Sequence, residues 1–258
     1  MRAALEAIPT KTRQFSLCKW RHLLGLLQII APAVSGAQVM LTRLQHSLRQ
    51  ARGSRVLLLT AVHDKLSAWR QLVHKLAARP KHLCDLDPFS QTWERATDAS
   101  GAGMGGVCQD LKGQWFIWRS PFSKATQARL ATDTNPTRDV TINNLELSAL
   151  FGQVQLFTPK MAPLAHIRTT VDNTAAQGWD NRGSVSSATA VGPILRDLAL
   201  LKRTHKIYSS VKRIAGVDNN MDDAASRLTH LTDNMFLRHF FLTFPQRKPW
   251  RMITLPAG

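Results

Sequence analysis

Four acidic residues stand at positions where phosphoryl-transfer chemistry would want them. Asp98 closes the run Trp93-Glu94-Arg95-Ala96-Thr97-Asp98-Ala99-Ser100 and is followed at once by Gly101-Ala102-Gly103-Met104-Gly105-Gly106. Glu146 opens an apolar helix in Asn143-Asn144-Leu145-Glu146-Leu147, and Asp172 ends Ile167-Arg168-Thr169-Thr170-Val171-Asp172. Asp223 lies in Asp222-Asp223-Ala224-Ala225-Ser226-Arg227. A strand-end Asp, a helix Glu, a second strand-end Asp and a late helix Asp can converge on one site. Without metal such a set repels itself: two unit charges about 4 Å apart cost roughly 4 kcal/mol at an effective dielectric of about 20. Some of the carboxyls then stay protonated, with raised pKa values. Two Mg²⁺ ions (or Mn²⁺) reverse the balance, because hard cations prefer oxygen ligands. A pair of ions about 3.5–4 Å apart activates the attacking water and stabilises the leaving oxygen of an in-line displacement at phosphorus. Asp98, central in the expected sheet, is the candidate to bridge both. Taken singly, each acid has an ordinary explanation as a turn, cap or first-turn helix residue, and Asp222 competes with its neighbour. The information lies in the ordered set.

The elements must carry these residues to one place. From Thr92 glycines and aromatics appear, and three strands are expected over about 93–98, 104–109 and 114–119, the last two joined by a turn at Lys112-Gly113. Asn144 is expected to cap a helix through Leu147, Leu150, Val154 and Phe157, ended by Pro159. A strand over 166–172, a short helix over 174–179, a helix through Ile194 to Leu201, a fifth strand over 209–215 and a last helix over 218–231 follow. This order predicts an α/β fold, a five-stranded mixed sheet flanked by helices. Three meandering strands followed by crossovers put the ends of the first and fourth strands side by side, which is where Asp98 and Asp172 sit. Residues 1–90 read as a small all-helical region. Leu23, Leu26, Leu27 and Ile30 form one apolar stripe, and Ala37, Met40, Leu41, Leu44 and Leu48 a second. A third helix is expected from an Asp64 N-cap to Pro80. The implied domains are 1–90, 91–232 and a C-terminal tail 233–258, whose Phe236, Phe240, Phe241, Phe244 and Trp250 are apolar enough to pack on something.

Composition narrows the partners. The 258 residues include 34 Lys+Arg against 17 Asp+Glu, a net charge of +17. That excess draws polyanions, nucleic acid first among them. Its ordinary alternative is a solvated basic surface. With 44% apolar residues the chain can bury a real core, which argues against wholesale disorder. Cys18, Cys84 and Cys108 form no CxxC pair, so a structural zinc site or a disulfide framework is not expected, and a reducing compartment (cytoplasm or nucleus) is favoured. No membrane partner is expected, since Gly25, Gln28 and Pro32 interrupt the longest apolar run. Residues 1–16 are basic and read as an internal segment of a longer chain.

In combination, Thr97-Asp98-Ala99-Ser100 with Gly103-Met104-Gly105-Gly106, Asn144-Leu145-Glu146-Leu147, Val171-Asp172-Asn173-Thr174-Ala175 and 216–227 resemble the ribonuclease H domain of retroelement reverse transcriptases. DIRS-like and related retrotransposon polyproteins are the most similar. Their last motif reads roughly Gly-x-x-Asn-x-x-Ala-Asp-x-x-Ser-Arg, and Gly216, Asn219, Asp223, Ser226 and Arg227 fall in register with it. That register makes Asp223 the fourth ligand and leaves Asp222 where the family commonly has Ala. Residues 17–90 look like the connection that follows the polymerase palm, and no Tyr-x-Asp-Asp-type motif is present. The resemblance implies a ribonuclease H-like fold and two-metal hydrolysis of the RNA strand of an RNA–DNA hybrid, leaving 3′-hydroxyl and 5′-phosphate ends. The missing polymerase portion would be a partner. Ser100, Asn144, Asn173 and Arg182 are the candidate substrate contacts, each with a turn or cap role as its alternative. Many ribonucleases H carry a catalytic His shortly before the last Asp. None lies between Tyr208 and Asp223 here, and His205 is upstream. A catalytically decayed nucleic-acid-binding module is the alternative function.

Overall fold

The computed structural model describes residues 2–10, 12–31, 34, 37–78, 92–161, 165–183 and 191–255. Cys84, Pro80 and Ser184 lie outside them. The chain divides into two compact units, one built on the described residues up to Ala78 with Arg182 and Gly183, and one on the other described residues from Thr92 onward.

The first unit is helical with a small two-stranded sheet. Its elements are α1 (Arg2–Glu6), β1 (Gln14–Ser16), α2 (Leu17–Ile30), α3 (Ala37–His46), β2 (Arg55–Leu57) and α4 (Thr60–Ala78), with β1 antiparallel to β2. The expected all-helical region therefore contains two short strands, with Gly53, whose φ of +57° suits glycine, in the turn that leads into β2. Trp20, Leu23, Leu24 and Leu27 recur at helical spacing on α2 and are buried, as are Leu41 and Leu44 on α3 and Leu66 and Trp69 on α4. α4 begins at Thr60, a turn earlier than an Asp64 cap would allow. The amides of Val62 and His63 already bond to the Leu59 carbonyl, and Val62 is buried one turn before Leu66. Apolar burial draws that extra turn into the helix.

The second unit holds β3 (Thr92–Ala99), β4 (Gly103–Gln109), β5 (Trp115–Pro121), α5 (Lys124–Ala128), α6 (Ile142–Phe157), β6 (His166–Val171), α7 (Thr174–Arg182), α8 (Val191–Thr204), β7 (Tyr208–Arg213), α9 (Asn220–Arg227), α10 (Asp233–Thr243) and β8 (Arg251–Met252). One six-stranded sheet runs in the order β7-β6-β3-β4-β5-β8. β3, β4 and β5 pair antiparallel, whereas β6 lies parallel to β3, β7 to β6 and β8 to β5. This is the meander-then-crossover plan of the expected mixed α/β fold, with six strands rather than five. β8 is the addition: Arg251 pairs with Phe116 and Met252 with Ile117. Two residues on an edge leave no periodic trace in the sequence.

Alternating residues feed two cores, one on each face of the sheet. Val107 and Ile117 face Ala225, Phe236, Phe240 and Trp250, the side covered by α9 and α10. Their neighbours Cys108 and Trp118 face Leu156 and Phe157 of α6. Phe236 and Phe240 are fully buried, which at about 1.5–3 kcal/mol per such side chain makes residues after Asp233 part of the fold. α6 is buried on most sides, and its core side chains include Leu150 and Val154 against Ile167 and Val211.

Candidate metal centre

The register of β3 against β6 sets the first pair of acids. Ala96 lies opposite Thr170 in a parallel pair, so two residues further on Asp98 and Asp172 emerge at neighbouring strand ends on one side. α6 brings the third. Thr141 starts that helix, with Asn144 completing a capping box: the Thr141 amide donates to Asn144 Oδ1 at 2.9 Å. Asn144 is therefore the third helical residue, not the cap, because its side chain reaches back to Thr141. Two turns beyond Glu146, Gln153 Nε2 donates to the Ala96 carbonyl (3.3 Å) and the Val107 carbonyl (2.9 Å), and its Oε1 accepts from Trp118 Nε1. This fully buried amide fastens α6 to β3 and β4 and so fixes where Glu146 falls. Its signal was one of only two Gln, with Gln155, inside an apolar helix.

Carboxylate oxygens of Asp98, Glu146 and Asp172 lie within 4.8 Å of one another. Asp98 and Glu146 are buried, and Asp172 is half-buried. Among the described residues no Lys, Arg or His forms an ion pair with any of the three. Arg213, the nearest by contact, donates to the backbone carbonyl of Asp172 at 3.4 Å. Glu146 Oε2 is buried without a hydrogen-bond partner. The electrostatics follow. Burial, and then the charges of Asp98 and Asp172, push Glu146 up to about 9. Burial also raises Asp98; the Ser226 hydroxyl opposes the rise, and the charges of Asp172 and Asp223 add to it.

α9 closes the site from the sheet face opposite α6. It can lie against β4 because Gly105 has no side chain: a Cβ there would stand 2.6 Å from the Ala225 carbonyl carbon. Ser226, fully buried on this helix, donates to Asp98 Oδ2 at 2.6 Å. It is a site residue that spacing alone did not single out. The loop entering α9 passes Asp172, with the Gly216 α-carbon position such that a Cβ would sit 3.4 Å from Asp172 Oδ2.

The fourth acid departs from the set of three. Asp223 lies outside the group within 4.8 Å. It is half-exposed, and its Oδ1 accepts from Arg227 Nε at 2.6 Å. Asp222, by contrast, is only 2% exposed, and its Oδ2 has no partner. Burial, and then the charges of Asp98, Asp172 and Asp223 against one backbone hydrogen bond, push it up to about 8. Asn219, at the start of the same helix, is also buried with neither side-chain atom bonded. At position 222 the chain thus places a buried acid with one unpartnered oxygen beside the site.

The expected substrate contacts have local partners. Ser100 Oγ donates to the Ser226 carbonyl at 2.9 Å and accepts from the amides of Ala102 and Gly103 at 3.2 and 3.3 Å. Asn173 Oδ1 accepts from the Ala176 amide at 2.9 Å, capping α7, while its Nδ2 donates to Asn143 Oδ1 at 2.8 Å. Arg182 is exposed in the last turn of α7.

A donor set made only of carboxylate oxygens, lacking internal cations and holding an orphaned buried oxygen, fits hard divalent ions such as Mg²⁺ or Mn²⁺. No protein-family model matches the chain, and no curated protein matches its sequence. Among solved structures, an RNase H1 from the halophilic archaeon Halobacterium salinarum NRC-1 is similar at 14% identity and a TM-score of 0.34, over 52% of this chain and 93% of that one. The foamy viral protease-reverse transcriptase in complex with RNA/DNA hybrid aligns at 12% identity and a TM-score of 0.29, over 82% of this chain. The dRH form of that enzyme, in complex with double-stranded DNA, aligns at 13% identity and a TM-score of 0.28, also over 82% of this chain. The chain spans 26% and 34% of those two longer proteins. Among the described residues no helix is long and apolar enough to cross a membrane.

Proposed function

We propose that the α/β unit is a divalent-metal-dependent endonuclease of the ribonuclease H type. It hydrolyses the RNA strand of RNA–DNA hybrids and belongs to the C-terminal part of a retroelement reverse transcriptase. The observation that carries this reading is the meeting of Asp98, Glu146 and Asp172 from three separate elements, with carboxylate oxygens within 4.8 Å and, among the described residues, no ion pair to any of them. Evolution rarely leaves buried like charges together without a use for them, because each unpaired charge costs several kcal/mol or is neutralised by a proton.

Asp98, Glu146 and Asp172 would hold the metal ions, with Asp98 central and Asp223 completing the set. Bound divalent cations supply Lewis-acid activation of water and stabilisation of the leaving oxygen at phosphorus. The chain's own residues do the positioning. Ser226 orients Asp98, Gln153 seats α6 and with it Glu146, and Ser100, Asn144 and Asn173 hold the loops and caps on which the acids stand. Arg182 is the substrate-contact candidate that remains exposed. The first unit, whose Arg13, Lys19, Arg21, Arg43, Arg49, Arg52 and Arg55 are exposed, would hold the sugar-phosphate backbone, and the polymerase portion would sit upstream of it.

The direct test is cleavage of an end-labelled RNA–DNA hybrid with Mg²⁺. The reading predicts 3′-hydroxyl products, arrest by a chelator, and loss of cutting in Asp98→Asn. Hybrid binding with a steep salt dependence and no cleavage by the native chain would instead mark a non-catalytic binding module. Cutting confined to duplex DNA would mark a different nuclease.

A further inference from the structure

The ion pair between Asp223 and Arg227 is poorly explained as a stabilising contact. Both side chains are substantially exposed, 43% and 65%, and such i,i+4 pairs contribute about 0.3–0.5 kcal/mol. Its position is more informative. Asp223 and Arg227 lie one helical turn apart on α9, and Ser226, between them in sequence, touches Asp98. The Arg227 guanidinium is held in its charged form first by Asp223, and the charges of Asp98 and Asp172 also reach it. A cation thus stands on the helix next to Ser226, which touches Asp98, and is bound to Asp223, which lies outside the group of three.

We propose that Arg227 is the residue that contacts the substrate phosphate at this site, and that Asp223 holds it in place until a divalent ion takes Asp223 over. The inference rests on the metal-centre reading above. A carboxylate exchanges a solvent-exposed guanidinium for a hard divalent ion readily, because the exposed pair is weak and the ion prefers oxygen ligands. Released from Asp223, Arg227 has five N–H donors in a planar fork suited to two phosphate oxygens. It is then placed where an incoming phosphodiester must approach a set of carboxylates that would otherwise repel it. One charge does two successive tasks: it balances Asp223 before metal arrives and draws in the substrate afterwards.

The two tasks give opposite effects in one variant. In Arg227→Ala, calorimetric titration of Mn²⁺ into the protein alone should show affinity raised about two- to fivefold, because a competitor for Asp223 is gone. Binding of a labelled RNA–DNA hybrid, measured by anisotropy with Ca²⁺ in place of Mg²⁺, should weaken roughly tenfold or more. Arg227→Lys should recover only part of the hybrid affinity, since an ammonium cannot make the bidentate contact. Circular dichroism confirms that both variants are folded. Unchanged hybrid binding in Arg227→Ala, or metal affinity that falls, overturns the inference and leaves the nuclease reading intact if the native chain still binds Mn²⁺ and cuts. A native chain that binds no Mn²⁺ overturns both.

Discussion

The α/β unit buries carboxylates in two places and treats them in opposite ways. At the α7–α8 junction Asp180 is 2% exposed and Lys202 12%, and their charges meet at 2.5 Å, with Ser209 also donating to Asp180. At the ends of β3 and β6, Asp98, Glu146 and Asp172 crowd together with no basic ion-pair partner among the described residues. The chain can neutralise a buried acid with its own lysine, and at the second place it does not. The difference separates an acid kept for the fold from acids left for something outside the chain.

Substitutions can break this contrast. The largest effect is expected for Asp98→Asn. It should lower hybrid cleavage by at least about a hundredfold, yet stabilise the metal-free protein, since one of three crowded carboxyls is replaced by a neutral amide. Differential scanning calorimetry with a chelator checks the second half, at roughly 2–4 °C in Tm for each kcal/mol relieved. Lys202→Met should do the reverse at the structural pair. It leaves Asp180 buried and unpaired, costs about 3–5 kcal/mol in urea unfolding, and leaves Mn²⁺ affinity unchanged. Ser226→Ala sits between these cases. Removing the hydroxyl that orients Asp98 should weaken metal binding by about ten- to a hundredfold with little loss of stability.

A pH series sharpens the same contrast. Glu146 titrates near its usual 4.5 in the unfolded chain and at about 9 in the folded one. Between those values the folded state holds more protons, so stability is highest at low pH and falls as pH rises towards 9. Asp222, pushed up to about 8, acts in the same direction. Metal-free protein should therefore unfold more easily at pH 9 than at pH 5 by equilibrium urea titration. Saturating Mg²⁺ should restore stability at the alkaline end, and Glu146→Gln should flatten the slope.

The acids that meet were readable because strand ends announce themselves. Asp98 is followed by a glycine-rich turn, and Asp172 by an Asn that caps the next helix. Counting along a parallel pair then sets both at one level. Burial was harder to read. Arg95 looks like an exposed strand residue, yet it is 3% exposed, with its guanidinium 4.8 Å from the Phe157 ring centre and 2.9 Å from Met161 Sδ. A strand covered on both faces loses the polar alternation that would have shown this. The last helix was legible as an acid-bearing element, but the division of labour between Asp222 and Asp223 was not. One position on a helix is a rotation of about 100°, and only packing through Gly105 and Ala225 decides which acid turns inwards. α10 could be seen to be apolar, whereas its place against Val107 and Ile117 is set by tertiary packing of Phe236 and Phe240 that leaves no local pattern.

The central claim is that Asp98, Glu146 and Asp172 jointly hold divalent metal. Anomalous diffraction from crystals soaked in Mn²⁺ tests it most directly. The account predicts a manganese peak between those three side chains, within about 2.0–2.3 Å of their carboxylate oxygens. Well-ordered crystals with manganese bound only elsewhere, and the three carboxylates still crowded and unliganded, would contradict it.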